Sequence, residues 1–282
     1  MKESMKRLIK LLHPKFQKLI LDYPVKFEPR YWHGKPPHSE LAQIIEKGRS
    51  SYEELLQHAQ KHVSHFETWS VEKQDAIAPH WNNQFLPGLD MVMLFTLLGE
   101  LKPKRYVEVG SGNSTKVAHD AVNRLGLETK IVSIDPMPRA EIDELAHEVV
   151  RKPFESVQFE YLHELEANDV LFIDNSHRVL PNSDAMVFFM EVLPQLKPGV
   201  VVQIHDIYLP FDYPQFMCDR FYNEQYVLAA FLLANPNRFQ TLMPNYFVSQ
   251  DAVMQHRMKD FWSKLPSGIE QHGGSYWLKI SE

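Results

Sequence analysis

A glycine-rich turn at residues 110–112 constrains the fold of this chain more than any other sequence feature. It follows Arg105–Val109, a short apolar run typical of a strand, and it precedes residues 114–125, whose apolar spacing predicts a helix. Glycine lets the chain turn sharply between a strand and a helix and brings backbone N–H groups close to a ligand. The turn therefore predicts a ligand crevice at the end of a strand in an α/β fold.

The chain beyond residue 105 alternates short β-rich runs with helical segments. The runs are continuously apolar, as expected of strands that are buried on both faces of a sheet. Strands are predicted at 105–109, 130–134, 156–159, 170–173, 200–204, 239–243 and 275–280, and helices at 114–125, 139–151, 183–196, 219–234 and 252–264. We expect a Rossmann-like α/β fold, with a seven-stranded and mostly parallel sheet that carries helices on both faces.

The first 80 residues predict an N-terminal helical extension, which leaves 81–282 for the α/β domain. Residues 1–22 have helical apolar spacing with six basic and two acidic side chains, and Pro14 interrupts that helix. Further helices are predicted at about 51–66 and 89–101. We interpret the basic helix as packed on its own domain or on a second subunit, which leaves a homodimer open.

The amino-acid composition limits the kinds of molecule that this chain is expected to bind. The net charge of −6 argues against a broad nucleic-acid footprint, and no apolar run is long enough for a membrane span. The single cysteine, Cys218, excludes a disulfide framework and fits a reducing compartment, so we expect a cytoplasmic protein. A small-molecule partner remains as the expectation.

The glycine turn lacks the third glycine of the dinucleotide-binding fingerprint, because Thr115 stands in its place. In nicotinamide enzymes that glycine allows close packing around a pyrophosphate, a group that S-adenosylmethionine does not contain. The segment Glu108–Thr115 resembles the first motif of the class I S-adenosylmethionine-dependent methyltransferases. The resemblance implies that Glu108, Gly110 and Gly112 hold this cofactor, and we expect the same of the neighbouring Ser111, Asn113 and Ser114.

Asp135 ends the second predicted strand, 25 residues after Gly110. A carboxylate in this position accepts hydrogen bonds from the ribose hydroxyls of an adenosine. Methyltransferases and nicotinamide enzymes share this device, so Asp135 predicts an adenosine without selecting the cofactor. The alternative is a loop carboxylate that caps the segment beginning at Pro136.

Four titratable residues follow the fourth and fifth predicted strands: Asp174, His177, His205 and Asp206. The carboxyl ends of parallel strands meet at one edge of a sheet, so we expect these side chains to converge beside the cofactor. In one chemistry His177 or His205 is a general base for a substrate hydroxyl or amine, assisted by Asp174. In the other, Asp174, His205 and Asp206 hold a divalent metal that binds substrate oxygens.

The segment after strand four resembles a group of bacterial small-molecule methyltransferases with an Asp-x-x-His motif, here Asp174–His177. It is also similar to metal-dependent sugar and catechol O-methyltransferases, but His205 replaces the first acidic residue of their strand-five pair. This departure favours the histidine base over the metal. The resemblance covers about residues 79–280, and it implies that Asp174 also borders the cofactor.

The expected function is therefore S-adenosylmethionine-dependent methyl transfer to a small-molecule hydroxyl, on a sugar or a secondary metabolite. Two alternatives stay open. A nicotinamide-dependent oxidoreductase needs a small residue near position 115 and a catalytic Tyr-Lys or His-Asp arrangement, neither of which is evident. A non-catalytic adenosine-binding protein would keep Asp135 without needing the four residues from Asp174 to Asp206.

Overall fold

The structure is a computed structural model that describes residues 13, 19–32, 34–138 and 141–281. The predicted basic helix of residues 1–22, with Pro14, lies almost entirely outside these residues. The described part contains a seven-stranded sheet in the order β3-β2-β1-β4-β5-β7-β6. Its strands are β1 (Arg105–Val109), β2 (Lys130–Ile134), β3 (Glu148–Val150), β4 (Val170–Ile173), β5 (Val201–Ile204), β6 (Phe239–Pro244) and β7 (Tyr276–Ile280).

The sheet is parallel from β1 to β5, and only β7 runs antiparallel to its two neighbours. The strand order reverses at β1, whose neighbours β2 and β4 continue in opposite directions along the sheet. Ligands of open α/β sheets bind at such a reversal, outside the carboxyl ends of the strands. The predicted Rossmann-like fold is confirmed.

The prediction was wrong between residues 139 and 159. No α-helix occupies 141–151, where one 3-10 turn covers Asp143–Leu145, and residues 156–159 are not a strand. Strand β3 lies earlier, at Glu148–Val150, and a second 3-10 turn covers Phe154–Ser156. Because β3 is a short edge strand with half-buried side chains, it lacks the continuous apolar run of a central strand. Pro153 directs the chain into the turn, so Val157 and Phe159 reach the core from irregular backbone.

The helices pack on both faces of the sheet and on its edge. They are α1 (Ser39–Glu46), α2 (Arg49–Lys61), α3 (Val63–Phe66), α4 (Gly88–Leu101), α5 (Asn113–Leu125), α6 (Glu160–His163), α7 (Asp184–Val187), α8 (Gln215–Cys218), α9 (Glu224–Ala234), α10 (Asn245–Gln250) and α11 (Ala252–Ser263). After α7 the chain stays helical to Gln195 in π and 3-10 form. Among the described residues, no helix is both long enough and apolar enough to cross a bilayer.

Helix α4 is the central packing element of the N-terminal half. Its residues from Gly88 to Leu98 are all buried, because α2 and α5 cover it on different sides. Leu41 and Tyr52 of the predicted extension belong to the same continuous core as the sheet strands. The division of the chain near residue 80 stays a prediction.

Gly110 joins β1 to the turn in a conformation that requires glycine. Its φ is +82°, and a Cβ built there would lie 1.8 Å from the carbonyl oxygen of Asp174. The neighbouring backbone is fixed, since Gly110 N–H donates to Ile134 O and Asp174 N–H donates to Val109 O. The ends of β1, β2 and β4 therefore approach each other only because residue 110 has no side chain.

We expect Gly110→Ala to lower the free energy of unfolding by more than about 3 kcal/mol, because left-handed strain adds to a backbone clash. Gly268→Ala is the matched control: Gly268 has a φ of +86° but open space around its Cβ position, so only strain of about 1 kcal/mol applies. Chemical denaturation of the two purified variants measures the difference. Equal losses would contradict the proposed close approach.

Candidate cofactor and catalytic site

A cavity of about 730 Å³ lies at the carboxyl ends of β1, β2 and β4. We call it the strand-end cavity. One wall is the glycine turn with the start of α5, and the opposite wall is formed by Pro153, Phe154 and Glu155. Such a volume and position are typical of small-molecule sites in open α/β sheets.

The strand-end cavity is lined by most of the residues predicted to bind the cofactor: Gly110, Ser111, Gly112, Asn113, Ser114, Asp135 and Asp174. The carboxylate of Asp135 accepts hydrogen bonds from the backbone N–H of Ser111 at 2.9 Å and of Met137 at 2.7 Å. These bonds tie the end of β2 to the glycine turn. Asp135 thereby lies at the cavity wall in a fixed orientation.

Glu108 lies behind the glycine turn, where it is fully buried, and it is not part of the cavity wall. Its carboxylate accepts hydrogen bonds from Thr115 Oγ1 at 2.5 Å and from the Tyr106 hydroxyl at 3.2 Å. Thr115 in turn accepts from the N–H of Gly112 at 3.1 Å. Burial raises the pKa of Glu108 to about 7. In this position Glu108 supports the turn from below, and its direct contact with the cofactor stays a prediction.

Several cavity residues were not predicted from the sequence. The wall at Pro153–Glu155 was missed because the segment before it was assigned to a helix. Lys73, His80 and Lys116 also line the cavity. Lys116 lies one turn into α5, and its proximity to the glycine motif is the only sequence signal for it.

The four titratable residues after β4 and β5 do converge. His177 Nε2 lies 3.3 Å from Asp174 Oδ1 and 3.5 Å from Asp206 Oδ2. His205 Nδ1 lies 3.7 Å from Asp174 Oδ1 and 3.6 Å from Asp206 Oδ1. Each carboxylate therefore faces both imidazoles. Asp174 also borders the strand-end cavity, so it joins this group to the cofactor site.

Two buried carboxylates that the sequence did not reveal stand behind the imidazoles. Glu224, at the start of α9, lies 2.6 Å from His177 Nδ1, and Asp90, on α4, lies 3.4 Å from His205 Nε2. Asp90 is fixed by Asn245 Nδ2 at 2.7 Å and by the N–H of Gly274 at 2.8 Å. We call Asp90, Asp174, His177, His205, Asp206 and Glu224 the imidazole–carboxylate cluster.

The carboxylates favour the charged form of both imidazoles. Burial alone would lower the pKa of His205, but the charges of Asp206, Asp174 and Asp90 outweigh burial and raise that pKa to about 9. Burial likewise opposes the charge on His177, but Glu224, Asp174 and Asp206 raise its pKa well above the usual value. The surrounding carboxylates therefore favour protonation of both imidazoles.

The predicted metal ligands Asp174, His205 and Asp206 lie together but are paired differently. In the part of the chain that the structure describes, no set of three or more His, Cys, Asp or Glu side chains is arranged to hold a metal ion. The carboxylates face imidazoles at ion-pair distances instead. The geometry therefore does not support the predicted metal site. It shows ion pairs between imidazoles and carboxylates instead.

An aromatic layer covers the cluster. Tyr222 stacks on the His177 ring with centroids 4.6 Å apart, and the Arg178 guanidinium lies 5.0 Å from the Tyr222 centroid. Tyr208, Trp32 and Tyr246 form an adjacent group with centroid separations between 4.5 and 5.9 Å. The segment 208–213 after Asp206, which we call the insert, thus packs as an aromatic wall beside the site.

The N-terminal segment completes this wall. Asp212 of the insert accepts hydrogen bonds from the backbone N–H of Arg30 at 2.5 Å and of Tyr31 at 3.1 Å. The N–H of Asp212 donates to Tyr31 O, and the N–H of His38 donates to Pro210 O. These bonds hold Trp32 against the aromatic layer.

Comparison with known proteins agrees with this geometry. Residues 107–207, which span the glycine turn, Asp135, Asp174 and His205, match a family model described as a methyltransferase domain. Residues 107–207 therefore form a methyltransferase domain. No curated protein matches the chain.

Solved structures similar to this methyltransferase include a Podospora anserina methyltransferase bound to S-adenosylhomocysteine, at 14% identity and a TM-score of 0.43, with 89% of this chain and 100% of that chain covered. An O-methyltransferase from Bacillus cereus in complex with the same nucleoside has 14% identity and a TM-score of 0.40, with 86% and 99% covered. TomG, an O-methyltransferase from Streptomyces achromogenes, has 15% identity and a TM-score of 0.33, with 86% and 98% covered.

The support role of Glu108 leads to a prediction about stability. Its pKa is raised in the folded methyltransferase, so ionisation between about pH 4.5 and 7 costs folding free energy that is absent below this range. We expect Glu108→Gln to raise the free energy of unfolding at pH 8 by about 2 kcal/mol relative to the parent, and to change it little at pH 5.

Denaturant titrations of both proteins at the two pH values measure this difference. Glu128→Gln serves as the control, since Glu128 is exposed. A Glu108→Gln variant that is less stable than the parent at pH 8 but equally stable at pH 5 would contradict this prediction and show that the charged carboxylate stabilises the fold.

Proposed function

We propose that this methyltransferase transfers the methyl group of S-adenosylmethionine to a hydroxyl of a small molecule, with His177 as the group that accepts the hydroxyl proton. The observation that carries the proposal is the position of Asp174. Its carboxylate borders the strand-end cavity and lies 3.3 Å from His177 Nε2. A hydroxyl beside Asp174 is therefore within reach of the imidazole and next to the cofactor cavity.

The contacts of His177 fit the role of a general base. Glu224 lies 2.6 Å from Nδ1 and favours a tautomer whose Nε2 is the proton-accepting nitrogen. An oriented carboxylate behind an imidazole also stabilises the imidazolium that forms when the proton is accepted. The stacked ring of Tyr222 fixes the plane of the imidazole.

His205 supports the same acceptor position from the other side. Its Nδ1 faces Asp174 and Asp206, and Asp90 lies behind its Nε2. We assign His205 a positioning role: it orients Asp174 and Asp206, the two carboxylates that in turn orient the acceptor. Methyl transfer itself needs the acceptor oxygen in line with the sulfonium methyl group, so positioning by these carboxylates supplies much of the rate.

The composition of the site favours a polyhydroxylated acceptor such as a sugar, or a secondary metabolite with neighbouring hydroxyls. Asp174 and Asp206 offer acceptors for hydroxyl protons, and Tyr208 and Tyr222 offer flat apolar faces. Burial, together with the charges of Asp206 and Asp90, raises the pKa of Tyr208. The Tyr208 hydroxyl stays a proton donor at neutral pH.

Substitution of the imidazoles tests the proposal. We expect His177→Ala to reduce turnover by at least about 100-fold, because a positioned general base contributes about 10²–10⁴ in rate, while affinity for S-adenosylhomocysteine stays within twofold. Release of S-adenosylhomocysteine with a panel of sugar and phenolic acceptors measures turnover, and calorimetry measures affinity. His205→Ala should also lower turnover, and the exposed His256→Ala is the control.

Full turnover in both His177→Ala and His205→Ala would overturn the base assignment. Transfer of the methyl group to amines but to none of the hydroxyl acceptors would overturn the acceptor class.

The raised histidine pKa predicts an alkaline pH profile. The base must be neutral to accept a proton, and the neighbouring carboxylates raise the pKa of His177 well above its usual value. With saturating cofactor we therefore expect turnover to rise as the pH increases above 7. Glu224→Gln removes the charge next to Nδ1, lowers the pKa of His177 and should move this rise to lower pH. Superimposable profiles for the parent and Glu224→Gln would refute the assignment of His177.

A further inference from the structure

Lys116 is an unpaired cation in the wall of the strand-end cavity. Its side chain is 2% exposed, although it belongs to the wall of a cavity that opens to solvent. Among the described residues, no hydrogen bond or ion pair partners its ammonium group. Burying an ammonium group without a partner costs several kcal/mol, so this position is unfavourable unless something else neutralises the charge.

The position of Lys116 in its helix adds to that cost. Helix α5 begins at Asn113, so Lys116 lies in the first turn of a thirteen-residue helix. The helix macrodipole places partial positive charge at this end, where a further cation is disfavoured. Both burial and the dipole therefore select against lysine here unless an anion binds beside it.

The surroundings of Lys116 are mixed in charge, with cations on the cavity side. Lys73 and His80 share the cavity wall with it, and the charge of Lys73 acts on Lys116. Asp75 and Glu141 act in the opposite direction, but neither belongs to the wall. Lys73 therefore adds a second cation to the cavity wall beside Lys116, whereas burial lowers the pKa of His80; we call the wall at Lys73 and Lys116 the cationic end.

The first turn of α5 supplies donors to the same end. The leading N–H groups of a helix have no acceptors within the helix. Gly112, Asn113 and Ser114 line the cavity at this point, and such amides together with a dipole form an anion-binding position. The start of helix α5 and the buried ammonium group of Lys116 are thus two separate features that favour an anion at the same position.

We propose that Lys116 binds the α-carboxylate of S-adenosylmethionine and is the main carboxylate-selecting side chain of this methyltransferase. The proposal rests on S-adenosylmethionine as the occupant of the strand-end cavity. The α-carboxylate is the only anionic group of that cofactor. Lys73 and Lys116 belong to the cavity wall, so this wall offers a cationic position to the amino-acid portion of the cofactor.

Two nucleosides separate the role of Lys116 from general cofactor affinity. S-adenosylhomocysteine carries the α-carboxylate, whereas 5′-methylthioadenosine has the same adenosine and thioether without the amino-acid portion. We expect Lys116→Met to weaken S-adenosylhomocysteine by about 10- to 100-fold, since a charge-assisted hydrogen bond is lost, and to leave 5′-methylthioadenosine within twofold. Lys116→Gln should give a similar pattern.

Lys104→Met is the matched control. Lys104 is exposed, precedes β1 at the opposite edge of the sheet and pairs with Glu166 at 3.5 Å, so it should leave both affinities unchanged. Calorimetry on the parent protein and the three variants measures the affinity for both nucleosides. Binding of 5′-methylthioadenosine by the variant also shows that it is folded.

Three outcomes would overturn the proposal. Equal weakening of both nucleosides would indicate a structural role for Lys116, and unchanged affinity for S-adenosylhomocysteine would place the carboxylate elsewhere. Failure of the parent protein to bind either nucleoside would refute the cofactor assignment itself, and the Lys116 proposal with it.

Discussion

The close approach of the β1 and β4 ends at Gly110 is the constraint on which the rest of this site depends. The backbone of Asp174 passes so near to residue 110 that no side chain fits between them. That proximity fixes two things together. It shapes the glycine turn that borders the cofactor cavity, and it sets the position at which the Asp174 side chain leaves the sheet toward the histidines. The wall of the strand-end cavity and the imidazole–carboxylate cluster are thus joined through the contact between Gly110 and the backbone of Asp174.

The imidazole–carboxylate cluster combines four carboxylates with two imidazoles in a largely buried space. Mutual neutralisation keeps this arrangement stable, because each imidazolium lies among at least two carboxylates and so offsets much of their desolvation cost. His177 and Asp206 also have positive φ values, of 60° and 55°, which few non-glycine residues adopt. Strained backbone at two adjoining strand ends is characteristic of sites where side-chain direction matters more than local stability.

Much of the fold was predictable because central strands and their helices leave strong signals. The continuous apolar runs of β1, β2, β4 and β5 located the sheet within a residue at most boundaries, and the polar residues after them located the site. The edge strand β3 was missed because three half-buried residues carry no such run. Asp90 and Glu224 were missed for another reason. They lie near the starts of two apolar helices, outside the segments that follow β4 and β5, and only the packing of α4 and α9 brings them behind the histidines.

The Asp212 connection has a consequence for sequence variation in this protein. On the N-terminal side, the carboxylate accepts hydrogen bonds from the main-chain N–H groups of residues 30 and 31, which are 182 and 181 positions away. Exchange of the Arg30 or Tyr31 side chain leaves those N–H donors in place, so the attachment tolerates divergence on the N-terminal side. Proline is the exception, since it has no N–H to donate. Related sequences can therefore change the chemistry of this wall freely while its course over the acceptor site stays the same.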